Sequence, residues 1–223
     1  MEDIKVGEYV QDIALHDDGD IKAGTITFTQ LIAWLHHGHD QMSPYVEIYV
    51  DNPLRNASTI TNETVLHLSD VHVLFIHDES INDYRSVTAQ QVKVGNYVYL
   101  ADSTNTLTRR VLGRVTKVRN NVFKRGFYSP MTLTGTLVVD GVHVSNYVTS
   151  YHDLVNAFCA PFRWFAKYVA PIPEWYTADG YHYYTMSIKW LGDVVPVQLY
   201  AIAGVSWESL RFNWLQQYLK RFF

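Results

Sequence analysis

The chain has 223 residues, a formal net charge of −4 and no apolar run of 18 residues, so no membrane-spanning helix is expected. The acidic balance argues against nucleic acid as a partner, because binding to phosphates needs a basic surface. With 48% hydrophobic and 18% charged residues, the composition is that of a chain that builds a packed core. Cys159 is the only cysteine, which excludes an internal disulfide and any zinc site made of cysteines. Because Cys159 lies in an apolar stretch, it is expected to be a buried core residue, the alternative being a thiol nucleophile.

An internal repeat is the most informative feature near the start of the chain. Residues 5–10 read Lys-Val-Gly-Glu-Tyr-Val and residues 93–98 read Lys-Val-Gly-Asn-Tyr-Val, so five of six positions are identical across 88 residues. An apolar residue, Ile4 or Val92, precedes each copy. Each copy has the form of a turn followed by the start of a strand. The repeat therefore predicts a domain built from two related halves.

The first 150 residues read mostly as short strands separated by polar turns, a pattern typical of an all-β unit. The strongest local signal is the Asp140-Gly141 pair between two apolar runs, which predicts a hairpin. Strands are expected at residues 25–35, 45–50, 64–68, 72–76, 96–101, 108–119 and 135–148.

The pattern changes after residue 148, where apolar residues recur at helical spacing as far as residue 169. Further helices are expected over residues 183–191 and from Ser206 onward. Five of the six tryptophans fall in this part of the chain. An aromatic helical tail flanked by arginine and lysine suits a membrane surface or an apolar ligand. The alternative is that it packs on the β unit or forms a small bundle.

Two glycosylation sequons begin at Asn56 and Asn62, within one polar loop. Triplets of this kind arise often by chance, but two in one exposed segment favour a protein of the secretory pathway. We therefore expect it in the endoplasmic reticulum lumen or outside the cell.

Three segments together resemble the autoprocessing (Hint, or Hog) domain of Hedgehog-type precursors. Residues 1–10 resemble the family's leucine-x-x-glycine-aspartate-x-valine turn, and residues 66–75 its leucine-threonine-x-x-histidine-leucine block. Residues 128–142 are the most specific, being similar to alanine-proline-leucine-threonine-x-x-glycine-threonine-x-x-valine. In the tail, residues 160–163 and 180–184 resemble the family's helical sterol-recognition extension.

The resemblance implies a mainly β, pseudo-two-fold Hint domain over residues 1–150, followed by a small helical lipid-recognition region over residues 151–223. Lipid contact is expected at Phe162, Trp164, Trp190 and Trp214. In this family the first cysteine of the domain attacks the preceding carbonyl, and a sterol hydroxyl displaces the resulting thioester. The implied partners are a sterol or other lipid nucleophile, a membrane surface and the precursor's own upstream segment. No cofactor or metal is expected beyond the sterol as co-substrate.

The resemblance assigns the catalytic histidine to His72, with Ser69 at the position of the family's threonine. The histidine acts as a general acid toward the nitrogen of the scissile peptide bond. A Ser-x-x-His spacing can bring a hydroxyl and an imidazole to one peptide group at a turn between strands. Serine donates and accepts hydrogen bonds as threonine does, so the substitution is mild.

Two positions depart from the family pattern. His36 stands where the family has a sterol-activating aspartate, and an imidazole can also act as a general base or favour water as the nucleophile. The neighbouring His37 and His39 raise the alternative of a metal site. Adjacent residues on a strand point to opposite faces, which argues against it, because metal ligands must converge. Asn146 replaces a cysteine near the active site. It is expected to have a polar structural role rather than the chain-breaking role of the last asparagine of inteins.

The nucleophilic cysteine and the first strand of the family pattern are expected to precede Met1, in a longer precursor. Cys159 is too far downstream to replace that cysteine. As written, the chain has a candidate acid and a candidate base but no nucleophile, so self-cleavage by this fragment alone is not expected. The alternative, from a binding class, is a catalytically silent Hint-like module that holds a lipid or docks on a membrane.

Overall fold

The structure is a computed structural model that describes residues 3–14, 24–53, 63–101, 111–148 and 152–184. Strands dominate up to residue 145, and one helix follows them. The strands are β1 (Tyr9–Ile13), β2 (Ile26–Asp51), β3 (Glu63–Ser69), β4 (Val73–Asp78), β5 (Asp83–Thr88), β6 (Tyr97–Leu100), β7 (Val111–Thr132), β8 (Thr136–Val139) and β9 (Val142–Ser145); a short 3₁₀ turn at Ala89–Gln91 follows β5, and helix α1 spans His152–Tyr168.

The nine strands form one sheet in the order β1-β2-β7-β6-β4-β9-β8, with β3 paired to β2 and β5 paired to β4. The pairings among the described strands are antiparallel. Aliphatic side chains from β2, β3, β4, β6 and β9 meet in one core cluster. The mainly β class predicted from the short β-branched runs is confirmed.

Two strands are much longer than the sequence pattern predicts. β2 continues through residues 36–44, where a loop separated two predicted strands, and β7 continues past residue 119. The two long strands pair with each other over most of their length, with five register shifts. Such irregularities bend a strand without ending it, which is why the polar residues and Pro44 remain inside a ladder. Strands β1 and β5 are short and partly polar, and the pattern did not single them out as full strands.

The two copies of the repeat, residues 5–10 and 93–98, have matching backbone geometry, whereas the two related halves stay a prediction. The N–H of Gly7 donates to the carbonyl of Leu31, and the N–H of Gly95 to that of Val115, both at 2.8 Å. Gly7 and Gly95 have φ of 98° and 94°, a region that side chains disfavour. In each copy the side chain three residues after the lysine accepts the lysine N–H, at 2.9 and 2.8 Å. The two copies of the repeat therefore form the same turn.

Helix α1 confirms the helical spacing expected before residue 169, and it lies in the same compact unit as the strands, Met1–Glu174. A second unit comprises Trp175–Phe223. Cys159 is buried, as predicted. Of the helix predicted over residues 183–191, all but the first two residues lie outside the described residues, as do the helix expected from Ser206 and both sequon asparagines. No helix among the described residues is long and apolar enough to cross a membrane.

The Gly135 segment explains how α1 meets the sheet. Gly135 has φ of 86°, and a Cβ there would lie 2.3 Å from Oδ1 of Asn156 on the helix. The hydroxyl of Tyr147 donates to the same Asn156 oxygen at 3.0 Å, and Arg163 donates to that hydroxyl at 2.6 Å. Gly135, in the motif of residues 128–142, is therefore the point at which helix α1 packs closely against the strands.

Candidate functional site

A cavity of about 200 Å³ lies where the β3–β4 turn faces β7 and β8. The backbone N–H of His72 donates to the carbonyl of Ser69 at 3.0 Å and closes that turn. Two of the three residues predicted for catalysis, Ser69 and His72, line this cavity. The other lining residues are Tyr45, His67, Leu68, Phe127, Tyr128, Pro130, Leu137, Val139 and Asp140.

His72 is held by the main chain that follows β9. Its Nε2 donates to the carbonyl oxygen of Ser145 at 2.7 Å, and both residues are buried. A carbonyl oxygen can only accept, so the proton of the neutral ring lies on Nε2 and the lone pair on Nδ1. Burial lowers the pKa of His72 to about 4, and the Ser145 carbonyl offsets only part of that effect. At neutral pH His72 is thus a neutral imidazole that carries its lone pair on Nδ1.

Ser69 supplies a second polar group at the cavity. Its hydroxyl is buried and has no hydrogen-bond partner among the described residues. A buried hydroxyl without a partner costs free energy, which a ligand that hydrogen-bonds to it in the cavity would recover. Ser69 is therefore suited to bind a peptide group that enters the cavity beside His72.

Asn146 is fully buried directly after Ser145. Its Nδ2 donates to the hydroxyl of Thr132 at 2.9 Å, and its backbone N–H donates to the carbonyl of Gly135 at 3.0 Å. Cyclisation would require Nδ2 to attack the residue's own carbonyl carbon, but Nδ2 is committed to Thr132. The contacts favour the structural role predicted for Asn146.

His36 lies behind one wall of the cavity. It is buried on β2, opposite Ser129 of β7, and its ring packs against Phe127 at 4.8 Å between centroids. Phe127 lines the cavity, whereas His36 does not. The ring of His37 lies on Trp34 and 4.2 Å from that of His39, so these two histidines share one face and His36 does not join them. Among the described residues no group of three or more His, Cys, Asp or Glu side chains is arranged to hold a metal.

The residues predicted to contact lipid are distributed unevenly. Trp164 is 59% exposed on α1 and its ring contacts Tyr168, whereas Phe162 is half-buried. Trp190 and Trp214 lie outside the described residues, so their lipid-binding role stays a prediction.

A buried polar cluster that the sequence did not suggest joins the two ends of the β unit. Asp12 accepts hydrogen bonds from Nε2 of His143 at 3.0 Å and from the hydroxyl of Thr136 at 2.9 Å. All three side chains are less than 5% exposed. Burial by itself would raise the pKa of Asp12, but the hydrogen bond and charge of His143 outweigh it and leave that pKa lowered. Asp12 is therefore a buried carboxylate that is stabilised by the hydrogen bonds it accepts from His143 and Thr136.

Two further groups at the site were missed: the Ser145 carbonyl and His152. The carbonyl carries no residue-type signal, and His152 is a single histidine at the start of a helix. The hydroxyl of Ser145 lies 2.8 Å from Nδ1 of His152. Burial lowers the pKa of His152 to about 4, with His143 and Arg163 also lowering it and Asp153 and Asp12 raising it. Only the fold brings these groups together.

The two lowered histidine pKa values predict a loss of stability in mild acid. An unfolded histidine has a pKa of about 6.5, so between pH 6.5 and 4 the unfolded chain binds more protons than the folded chain. The free energy of unfolding therefore falls as the pH falls through this window, by as much as about 3 kcal/mol for each of His72 and His152. Urea titrations from pH 7 to 4.5 measure the slope, and His152→Asn should reduce it. An unchanged slope in the variant would contradict the prediction.

The mainly β fold and the motif that contains Ser69 and His72 are those expected of a Hint-type module, and a family model places the chain in that class. The model described as "Hint module" matches residues 1–197, so the chain belongs to the Hint family.

Among curated proteins the similar chains are Warthog and Hedgehog proteins. Warthog protein 4 of Caenorhabditis elegans is 32% identical over 160 residues, covering 71% of this chain and 27% of the relative. Protein hedgehog of Drosophila virilis is 28% identical over 141 residues, covering 63% and 26%. Sonic hedgehog protein of Xenopus laevis is 30% identical over 118 residues, covering 50% and 26%. The chain thus spans about a quarter of the length of these relatives.

Two inteins are similar among solved structures. An intein from a hyperthermophile superposes with a TM-score of 0.43 and 9% identity, over 61% of this chain and 70% of the intein. The TvoVMA intein has a TM-score of 0.33 and 18% identity, over 62% and 66%.

Proposed function

We propose that this Hint module is the autoprocessing domain of a longer precursor. It cleaves the peptide bond that joins it to the upstream segment and transfers the upstream fragment to a sterol or another nucleophile. The observation that carries the proposal is that Ser69 and His72 meet at one cavity, with His72 held in a single tautomer by Ser145. The nucleophile is the cysteine that the family resemblance implies at the start of the module.

The tautomer of His72 determines how the proton moves. The cysteine sulfur attacks the scissile carbonyl, and Nδ1 of His72 takes the thiol proton. The C–S bond forms and the C–N bond breaks as the same proton passes to the leaving nitrogen, which yields a thioester and a free amine. A hydroxyl or water then attacks the thioester, and the sulfur recovers a proton as it leaves. A neutral His72 with its proton on Nε2 thus acts first as base and then as acid.

The internal repeat supports a place for the upstream segment. In the second half, β6 pairs with β7 on one edge and with β4 on the other, where Val98 faces Ile76. In the repeat, Val98 corresponds to Val10 of β1. Strand β1 pairs with β2 on one edge, and among the described residues no strand pairs with its other edge. An extended segment on that second edge of β1 would therefore occupy the position that β4 has on β6.

A second cavity, of about 350 Å³, lies beside this edge of β1 and against β8. It shares Leu137, Val139 and Asp140 with the cavity of Ser69 and His72. A segment laid along β1 would thus contact residues that also line the cavity of His72. These contacts support the upstream segment of the precursor as the bound substrate.

His36 is proposed as the base of the second step. Its ring is separated from the cavity by Phe127, so activation of an acceptor hydroxyl requires Phe127 to turn aside or an acceptor that reaches past it. A sterol acceptor is consistent with the secretory pathway that the two sequons favour.

The proposal is tested by expressing the full precursor from its native transcript, with sterol present, and measuring intact masses. A C-terminal fragment that begins with cysteine is expected. An upstream fragment heavier by one sterol less one water would assign transfer, and a fragment with a free acid would assign hydrolysis. An uncleaved precursor that carries the upstream cysteine and is folded would overturn the proposal.

The exposed aromatic face of α1 favours one alternative function, a catalytically silent module that binds lipid or a membrane. Phe158, Trp164, Tyr168 and Val169 are each more than half exposed. Aromatic side chains with nearby Lys167 suit a membrane interface. Flotation of the chain with phosphatidylcholine–cholesterol vesicles tests this, with Trp164→Ser/Tyr168→Ser as the matched variant. Binding that survives in the variant would contradict a role for this face.

A further inference from the structure

The first residue of α1 is a buried histidine that is bonded to the strand beneath it. Nδ1 of His152 lies 2.8 Å from the hydroxyl of Ser145, and the two residues are 2% and 0% exposed. The same hydroxyl oxygen accepts the backbone N–H of Tyr147 at 3.0 Å. An N–H can only donate, so the oxygen is an acceptor in that bond, and the hydroxyl still has its own proton to donate to Nδ1 of His152. The Ser145 side chain is therefore fixed from both sides.

The main chain of Ser145 is the part that meets His72. Its carbonyl accepts the proton of His72 Nε2 at 2.7 Å. Next to it, the carbonyl of Tyr147 accepts the backbone N–H of Val73 at 3.0 Å. Ser145 thus lies between a helix residue that holds its hydroxyl and a histidine that depends on its carbonyl.

We propose that His152 is a positioning residue for His72. By holding the Ser145 hydroxyl, it sets the direction of the Ser145 carbonyl, and that carbonyl keeps the ring proton of His72 on Nε2. The first turn of α1 is then part of the autoprocessing site, although none of the helix side chains that the structure describes lines the cavity. The effect on cleavage rests on the proposed function, whereas the effect on the His72 tautomer does not.

The helix has a second attachment that separates positioning from simple anchoring. Asn156 and Arg163 bond to the hydroxyl of Tyr147 and not to Ser145. Asn156→Ala therefore weakens the attachment of α1 without removing a bond to Ser145, and it is the matched control. His152→Leu removes the acceptor, whereas His152→Asn keeps a polar atom near the position of Nδ1 and is the conservative variant.

The direct test is the nitrogen NMR spectrum of the His72 ring in the 223-residue chain at pH 7. In wild type, Nε2 is expected to be the protonated nitrogen and Nδ1 the bare one. His152→Leu should mix the two tautomers, and His152→Asn and Asn156→Ala should not. Where His152→Leu fails to fold, Ser145→Ala removes the same hydroxyl and should give the same mixing. A single Nε2–H tautomer in a folded His152→Leu or Ser145→Ala chain would overturn the proposal.

Cleavage of the longer precursor is the second readout. His152→Leu is expected to slow it by about 10- to 100-fold, the usual cost of losing a group that orients a catalytic residue, with recovery in His152→Asn. Equal rates in wild type and His152→Leu would also overturn the proposal. A precursor that is never cleaved refutes the proposed function, while the NMR result still decides whether His152 positions His72.

Discussion

Replacement of His72 by glutamine is expected to slow cleavage of the longer precursor by about 10²- to 10⁴-fold, the range for loss of a general acid or base. Glutamine can still donate to the Ser145 carbonyl, which His72 does through Nε2, but it has no ring nitrogen that can take up a proton. The loss should therefore be of chemistry rather than of fold. Single-turnover rates followed by intact mass measure it.

The control for this variant is His77→Gln, on β4, the strand that begins directly after His72; His77 is bonded to Tyr99 and does not line the cavity. Its cleavage rate should stay near that of wild type. Equal loss in His72→Gln and His77→Gln would mean that both act by disturbing β4, and this would contradict a chemical role for His72.

The pH profile separates two roles for His72. Because its pKa is lowered to about 4, the ring is already neutral at pH 6, and a neutral ring that accepts the thiol proton does not become less active at higher pH. If His72 had to start as the protonated acid, the rate would fall about tenfold for each pH unit above its pKa. Rates measured between pH 6 and 8 distinguish the two, and we expect no such fall.

Removal of the Asp12 carboxylate is expected to lower the free energy of unfolding by about 3–5 kcal/mol, since it leaves buried donors without an acceptor. Asp12→Ala leaves both Nε2 of His143 and the hydroxyl of Thr136 without the carboxylate that accepts their hydrogen bonds. The effect should be large because Asp12 on β1 is bonded to groups on β8 and β9, 124 and 131 residues away in the chain. Urea denaturation at pH 7 measures the loss.

A double-mutant cycle and a surface control make this prediction specific. Asp12→Ala/His143→Ala should be less destabilised than the sum of its two single variants, because the second change removes a partner already lost. Asp40→Ala removes an exposed pair with Arg125 and should leave stability close to that of wild type. Strict additivity of Asp12→Ala and His143→Ala would contradict the buried bond.

Asp12 also carries a pH dependence of known sign. Its pKa is lowered in the folded chain, so its contribution is present above the unfolded value near 3.9 and is lost as the pH falls through the folded value. This window lies below the one in which His72 and His152 act. Acid unfolding should therefore begin with the histidines and be completed by Asp12.

Much of the fold could be predicted from local sequence patterns. The Asp140-Gly141 turn predicted the β8–β9 hairpin, and the identical turns around Gly7 and Gly95 predicted two related halves, since both depend on neighbours in the chain. The spacing of apolar residues predicted α1. The full length of the strands β2 and β7 was not predicted. The polar residues near His36 on β2 and near Arg119 on β7 remain in strands because β2 and β7 pair with each other, and a local pattern does not show that pairing.

The candidate site divides in the same way. Ser69 and His72 are three residues apart, so a motif can contain both and the resemblance assigned them. Asp12, His143, Ser145 and His152 belong to no local motif, and their sequence separations give no sign that they share one buried region. The Ser69 hydroxyl lacks a hydrogen-bond partner because of where it is buried, and His72 carries its proton on Nε2 because the Ser145 carbonyl faces that nitrogen. The identities of the side chains specify neither feature.

By itself, the sequence determined the mainly β class, the internal repeat, the buried Cys159 and the residue types available for catalysis. These follow from composition and from contacts between residues close in the chain. Only the tertiary structure decided which nitrogen of His72 is basic, that Asn146 is tied to Thr132, and that helix α1 is connected to the site through His152. The reason is physical: a hydrogen bond between buried groups depends on direction and distance in the folded chain.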